Sequence, residues 1–147
     1  MVMLRSLRNT SRDRVGGVLR ILVGLVFIMA GILKVLVPSL GQAFSGQLEA
    51  AGIPMHGLVL YTFPIVEMVL GILLLVGLHA RISAALAAVS MAVATYVHIV
   101  IDDPSLFPLQ PVEPIGPLVF LAMLIYTVIR GAGAWSIDLR DEDVCGI

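Results

Sequence analysis

The sequence predicts an all-α integral membrane protein: a four-helix bundle with both termini in the cytoplasm and a short interfacial helix between the first two spans. Three observations carry this reading. The chain of 147 residues is 59% hydrophobic and 13% charged, with a mean hydropathy of +1.05, which leaves too little polar surface for a soluble domain. Four apolar runs, 15–37, 57–78, 82–101 and 114–130, approach the roughly 20 residues that a bilayer-spanning helix needs. The arginines fall on one side. Arg5, Arg8, Arg12 and Arg14 precede the first run, Arg81 sits with His79 in the second connection, and Arg130 and Arg140 follow the last run. The other two connections carry Glu49, His56, Asp102, Asp103 and Glu113 but no Lys or Arg. That asymmetry predicts the arginine side to be cytoplasmic.

The expected organisation is a basic N-terminal segment, 1–14, a four-span domain, 15–139, and an acidic tail, 140–147. "MVMLRSLRNTSRDR" before an apolar run imitates a signal peptide. The run is too long for one and offers no small-residue cleavage site, so it is expected to stay as the first span. Cys145 is the one cysteine, which excludes an internal disulfide and any dithiol couple within the chain.

In the first span, Arg20, Gly24, Phe27, Gly31 and Lys34 recur at steps of 4, 3, 4 and 3 and share one helix face. A face combining two glycines with both charges is expected to turn toward other helices. Arg20 starts below the midplane, so its stem is expected to snorkel outward and anchor at the interface. In the first connection Leu40, Phe44, Leu48 and Ala51 recur at helical spacing, and Gly52 with Pro54 ends the pattern. This suits a short helix lying in the outer interface, with an ordinary ordered loop as the alternative. In the third span Ala84, Ala88 and Ala92 form a small-residue row suited to close helix approach. "DDPSLFPLQPVEP" holds four prolines. It is expected to run as an extended cap over the outer end, with Asp102 and Asp103 terminating the third span in water. Pro114 and Pro117 suit the first turn of the fourth span. Gly131 and Gly133 end that span, and Trp135 is placed to anchor at the inner interface.

One carboxylate is out of place. Glu67 stands in a run otherwise uncharged from Gly57 to Leu78. A charge at bilayer centre costs a few kcal/mol and must be neutral, paired or hydrated. At the helical rise, Glu67 lies about 15 Å below the outer end of its span, whereas Lys34 and His98 lie about 6 Å below theirs. Helical side chains tilt toward the N-terminus, so Lys34 and His98 lean inward and Glu67 leans outward. The three are expected to converge on one polar site in the outer half of the bundle. Tyr61 and Tyr96 are candidate further donors. Pro64 deprives the Leu60 carbonyl of its intrahelical partner and is expected to kink the second span. The plainer reading is a buried Lys34–Glu67 pair that fixes helix register.

The chain has no Walker motif, dinucleotide fingerprint, serine-nucleophile signature or basic nucleic-acid patch. Neither haem nor metal is expected. His56 and His98 do not sit as facing ligands, and no second histidine lies at ligand spacing from His98.

"LRILVGLVFIMAGILKVLVP" at 19–38, "GIP" at 52–54, "VEMVLGILLLVGLHARISA" at 66–84, His98 and "GAGAWSIDL" at 131–139 resemble, in order and spacing, the DoxX family of small bacterial membrane proteins. The resemblance covers about residues 15–139 and implies a four-helix membrane bundle. It also implies a relation to membrane parts of quinol oxidase, thiosulfate:quinone oxidoreductase and thiol-stress systems. The matching polar positions are Arg20, Lys34, Glu67, Arg81 and His98.

The leading expectation is a quinone-interacting membrane subunit of an oxidoreductase in the bacterial inner membrane. It would have no redox centre of its own and would work with a protein partner or as a homo-oligomer. Lys34 would bond a quinone oxygen, His98 would be a second donor and proton carrier, and Glu67 would hold Lys34 and relay protons. One alternative is a non-catalytic anchor or assembly scaffold. Another is a small-molecule or proton carrier, working as a dimer because four spans without an inverted repeat are few for alternating access.

Overall fold

The computed structural model describes residues 12–144, so Arg5, Arg8 and Cys145 lie outside the described residues. The helices are α1 Arg14–Leu36, α2 Pro38–Ala50, α3 His56–Val76, α4 Ala80–Val100, α5 Ile115–Arg130 and α6 Ile137–Val144, with a 3₁₀ turn at Pro104–Leu106. Helices α1, α3 and α4 are long and apolar enough to cross a membrane, and the shorter apolar α5 has 16 residues. Each predicted span agrees with its helix to within two residues at either end.

The bundle is built from two close pairs, α1 with α3 and α4 with α5, joined more loosely to each other. Glycine makes the first pair close. A Cβ on Gly24 would stand 2.8 Å from the Leu75 amide nitrogen and 2.9 Å from the Gly71 carbonyl, and one on Gly71 would stand 2.8 Å from the Gly24 carbonyl. Backbone meets backbone here, and in lipid such packing is a main source of helix association. Replacing Gly71 by leucine is expected to push the pair apart and cost about 1–3 kcal/mol, as overpacking does. Reversible unfolding in mixed detergent reads the loss, and an unchanged midpoint would contradict this account of the interface.

The polar face of α1 turns inward as expected: Arg20, Gly24, Phe27 and Gly31 are buried. The alanine row of α4 is corrected. Ala84 is buried, Ala88 half-buried and Ala92 exposed, and the inward face runs Ala80, Ser83, Ala84, Ala87, Ser90. A strict four-residue step drifts about 40° per step around a 3.6-residue helix, so the row leaves the interface after two steps.

The first connection is a helix. Phe44 and Leu48 are buried, and α2 folds back against α1 and α3. Gly52, at φ +64°, reverses the chain while the Ile53 amide donates to Leu48 at 2.9 Å. Helix α3 runs unbroken through Pro64. The proline-rich connection caps that end of the bundle. Phe107 packs into a cluster with Val97 and Ile101, and the Gln47 side-chain amide donates to the Leu106 carbonyl. Asp102 and Asp103 are exposed; the Ser105 hydroxyl, and then its amide at 2.9 Å, hold the Asp103 carboxyl below the ordinary value.

At the opposite end, Arg20 does not snorkel. It is completely buried. Its Nε donates to the Ala132 carbonyl at 2.7 Å, its Nη1 to the carbonyls of Leu74 and, at 2.8 Å, Leu75, and its Nη2 to that of Trp135 at 3.2 Å. Leu74 and Leu75 lie in the last turn of α3, whose carbonyls lack the usual i+4 donor, and the Gly77 amide reaches Leu74 only at 3.2 Å. The guanidinium fork fills that need and ties α1, α3 and the 131–136 segment together. Asp138, 2% exposed, supplies the counter-charge. Its carboxylate also caps α4, accepting from the amides of His79 at 3.0 Å and Ala80 at 2.9 Å. Gly131 ends α5 as expected. Trp135 is 64% exposed, and Arg81 is half-buried in the first turn of α4. Asp13 N-caps α1, bonding the Val15 amide at 2.9 Å, and accepts from the Tyr126 hydroxyl, which holds its carboxyl below the ordinary value.

Candidate functional site

Lys34 and Glu67 meet. Lys34 Nζ lies 2.8 Å from Oε1 and 2.6 Å from Oε2 of Glu67. The helix levels differ, and the opposite tilts of the two side chains close the gap. Glu67 is 3% exposed overall, and the Lys34 side chain is 21% exposed. The ammonium also faces two rings, 4.8 Å from the Phe44 centroid and 5.5 Å from that of Phe63. Those rings stack on each other with centroids 5.8 Å apart and planes 27° apart. A partly desolvated cation lying over ring faces gains about 1–2 kcal/mol, so α2 and α3 both hold the Lys34 head in place.

His98 is on the facing pair of helices and is 8% exposed. Its Nδ1 lies 2.8 Å from the Ala94 carbonyl, and its ring tilts against that of Phe107 with centroids 4.2 Å apart. Its Nε2 is buried without a hydrogen-bond partner, the one such side-chain atom among the described residues.

Lys34, Glu67 and His98 line one cavity of about 560 Å³. It lies where the two helix pairs separate. Its apolar wall includes Leu25, Met29 and Leu33 of α1, Met91 and Val97 of α4, and Phe120 of α5, and α2 and the proline-rich cap close its end. A cavity of this size, mostly apolar with a few convergent polar groups, has the form of a small-molecule site. Its lining has the elements that could hold a ring bearing polar oxygens and an apolar tail. It offers a fixed cation, a buried imidazole nitrogen lacking a partner, and an apolar corridor for a tail.

Of the five residues expected at the site, the structure brings three onto one cavity and places two away from it. Tyr61 is 74% exposed and Tyr96 52% exposed, and neither lines the cavity. The reason is rotation: Tyr61 is six residues from Glu67 and Tyr96 two from His98, about 240° and 200° around their helices. Both face outward. Sequence reasoning missed Phe63, Phe44 and Phe107 as site residues. Phe63 stands four residues before Glu67 and therefore on its face, a signal that was there to use. Phe107 sits in an irregular loop, where no periodicity points.

The helical core, the buried charge pair and the partly polar cavity define a multi-helix membrane protein with an intramembrane polar site. The chain belongs to the DoxX family: the family profile, described as DoxX, matches residues 17–99. A relative from Mycobacterium tuberculosis, described as uncharacterized membrane protein Rv3486, is 34% identical over 135 residues, covering 83% of this chain and 78% of its own. No solved structure matches the chain. The profile match spans α1 to α4 and contains Arg20, Lys34, Glu67, Arg81 and His98. It stops short of the "GAGAWSIDL" segment.

Proposed function

We propose that the chain is a quinone-interacting integral subunit of an oxidoreductase or redox-stress complex. It would sit in the bacterial inner membrane with its arginine-rich end and both termini in the cytoplasm. The observation that carries this is the placement of Lys34, Glu67 and His98 on one apolar-walled cavity between membrane-length helices. Lys34 would donate to a ring oxygen. Glu67 accepts from the Lys34 ammonium through both carboxylate oxygens and so orients it. His98 would meet the ring from the other helix pair and is suited to hold or pass a proton. The quinone would supply the electron-accepting or electron-donating chemistry. The redox partner would be another protein, since no motif in the chain supplies a redox centre.

The two-oxygen contact of Lys34 with Glu67 also favours a second reading, a membrane anchor whose charges are structural. Native mass spectrometry of the protein extracted from its own membranes in mild detergent separates the two. A co-released quinone that is absent from a folded Lys34→Met variant is the expected result. A stoichiometric protein partner with no quinone would replace the first reading with the second.

A further inference from the structure

We propose that His98 is a hydrogen-bond acceptor in this cavity, so that the site selects a hydroxyl-bearing ring, a quinol or phenol, over the corresponding quinone. The inference rests on the proposed quinone-type site and reverses the donor role that the sequence suggested for His98.

The Ala94 carbonyl has no proton to give. At 2.8 Å from Nδ1, it is satisfied only if Nδ1 carries the hydrogen. A neutral imidazole protonated at Nδ1 presents a bare lone pair at Nε2. That lone pair is on the buried side-chain atom left without a partner, and leaving a buried polar atom unpaired is unfavourable. Its complement is an O–H. A quinone carbonyl would set lone pair against lone pair, and a methyl ether offers no hydrogen either.

The Lys34 side complements this. An ammonium donates only, and it is the one cation among the cavity-lining residues. A ring with oxygens at opposite ends meets a donor at Lys34 and an acceptor at His98. A phenolic oxygen serves either, because it both gives and takes a hydrogen bond, whereas a carbonyl oxygen serves only Lys34. The cover over the imidazole also favours an aromatic guest. Phe107 lies against the His98 ring on an irregular loop, and an entering ring would exchange one ring contact for another as it reaches Nε2.

The test compares three probes on the purified full chain in detergent, with no reductant present: a geranylated phenol, its methyl ether, and a geranylated quinone. The expected phenol affinity exceeds that of the ether about tenfold, the yield of one net hydrogen bond. His98→Phe should bring the two to near equality, and His98→Gln, whose amide oxygen can accept, should restore part of the gap. Equal binding of phenol and ether by the unaltered chain overturns the acceptor role. If quinone binding still requires Lys34 in that case, the quinone site itself survives. Failure of all three probes to bind removes both. As a second reading of the same point, ¹⁵N spectra of the ligand-free chain should show Nε2 as the unprotonated nitrogen of His98, and the opposite tautomer overturns the proposal.

Discussion

Replacing Arg20 by leucine is expected to cause the largest loss of stability of any single change in the chain. The side chain is fully buried and donates to backbone carbonyls at the end of α3 and in the segment after α5. Leucine fills much of the volume but leaves the carbonyls of Leu74, Leu75 and Ala132 without this donor, and strips Asp138 of its counter-charge. Removing one partner of such a buried charged network costs about 3–5 kcal/mol. Arg20→Lys should recover only part of this, because an ammonium cannot span the carbonyls with a planar fork. Unfolding midpoints in mixed detergent check both variants. A leucine variant within 1 kcal/mol of the parent would show that α3 and the 131–136 segment are held by other means.

The second large effect is at the other end. Lys34→Met should cost about 3–5 kcal/mol, since it leaves the Glu67 carboxylate in an apolar cavity wall without its cation. It should also abolish quinone-ring binding. The exchanged double variant, Lys34→Glu with Glu67→Lys, then asks whether the pair is symmetric. The two positions differ. Lys34 faces the rings of Phe44 and Phe63, and ring faces attract cations and repel anions. The exchange restores an opposite-charge pair but points a carboxylate at both rings. It should regain most of the stability lost in Lys34→Met, stay about 1–2 kcal/mol below the parent, and fail to bind the ring. Full recovery of stability and binding would make the aromatic surroundings irrelevant and the pair interchangeable.

How much of this site was legible varies by residue. Lys34 and Glu67 could be matched from the sequence because rise per residue and side-chain tilt fix depth within a span. Tyr61 and Tyr96 were candidate further donors, and the same helical geometry, applied to angle instead of depth, turns them away from the cavity. Arg20 was misjudged for a different reason. The snorkelling expectation compares a buried charge with a hydrated one, and it leaves out a third state, in which neighbouring helix ends supply the acceptors. Asp138 illustrates the same point. In sequence it belongs to the end of "GAGAWSID", and its work is done at the start of α4, 58 residues away in the chain.

The sequence by itself determined the class of protein, the boundaries of the four spans to within two residues, the inward face of α1 and the meeting of Lys34 with Glu67. These depend on local quantities, namely apolar run length, helical period and the cost of a charge in hydrocarbon. Only the tertiary structure decided that the helices form two pairs with a cavity between them, that Arg20 and Asp138 bind helix ends, that the Phe44 ring reaches the lysine, and that His98 keeps a bare Nε2. Each of these depends on which backbone carbonyl, amide or ring lies within a few ångströms after folding. The glycine face of α1 shows its period in the sequence, but the backbone it meets and the path of an irregular loop do not.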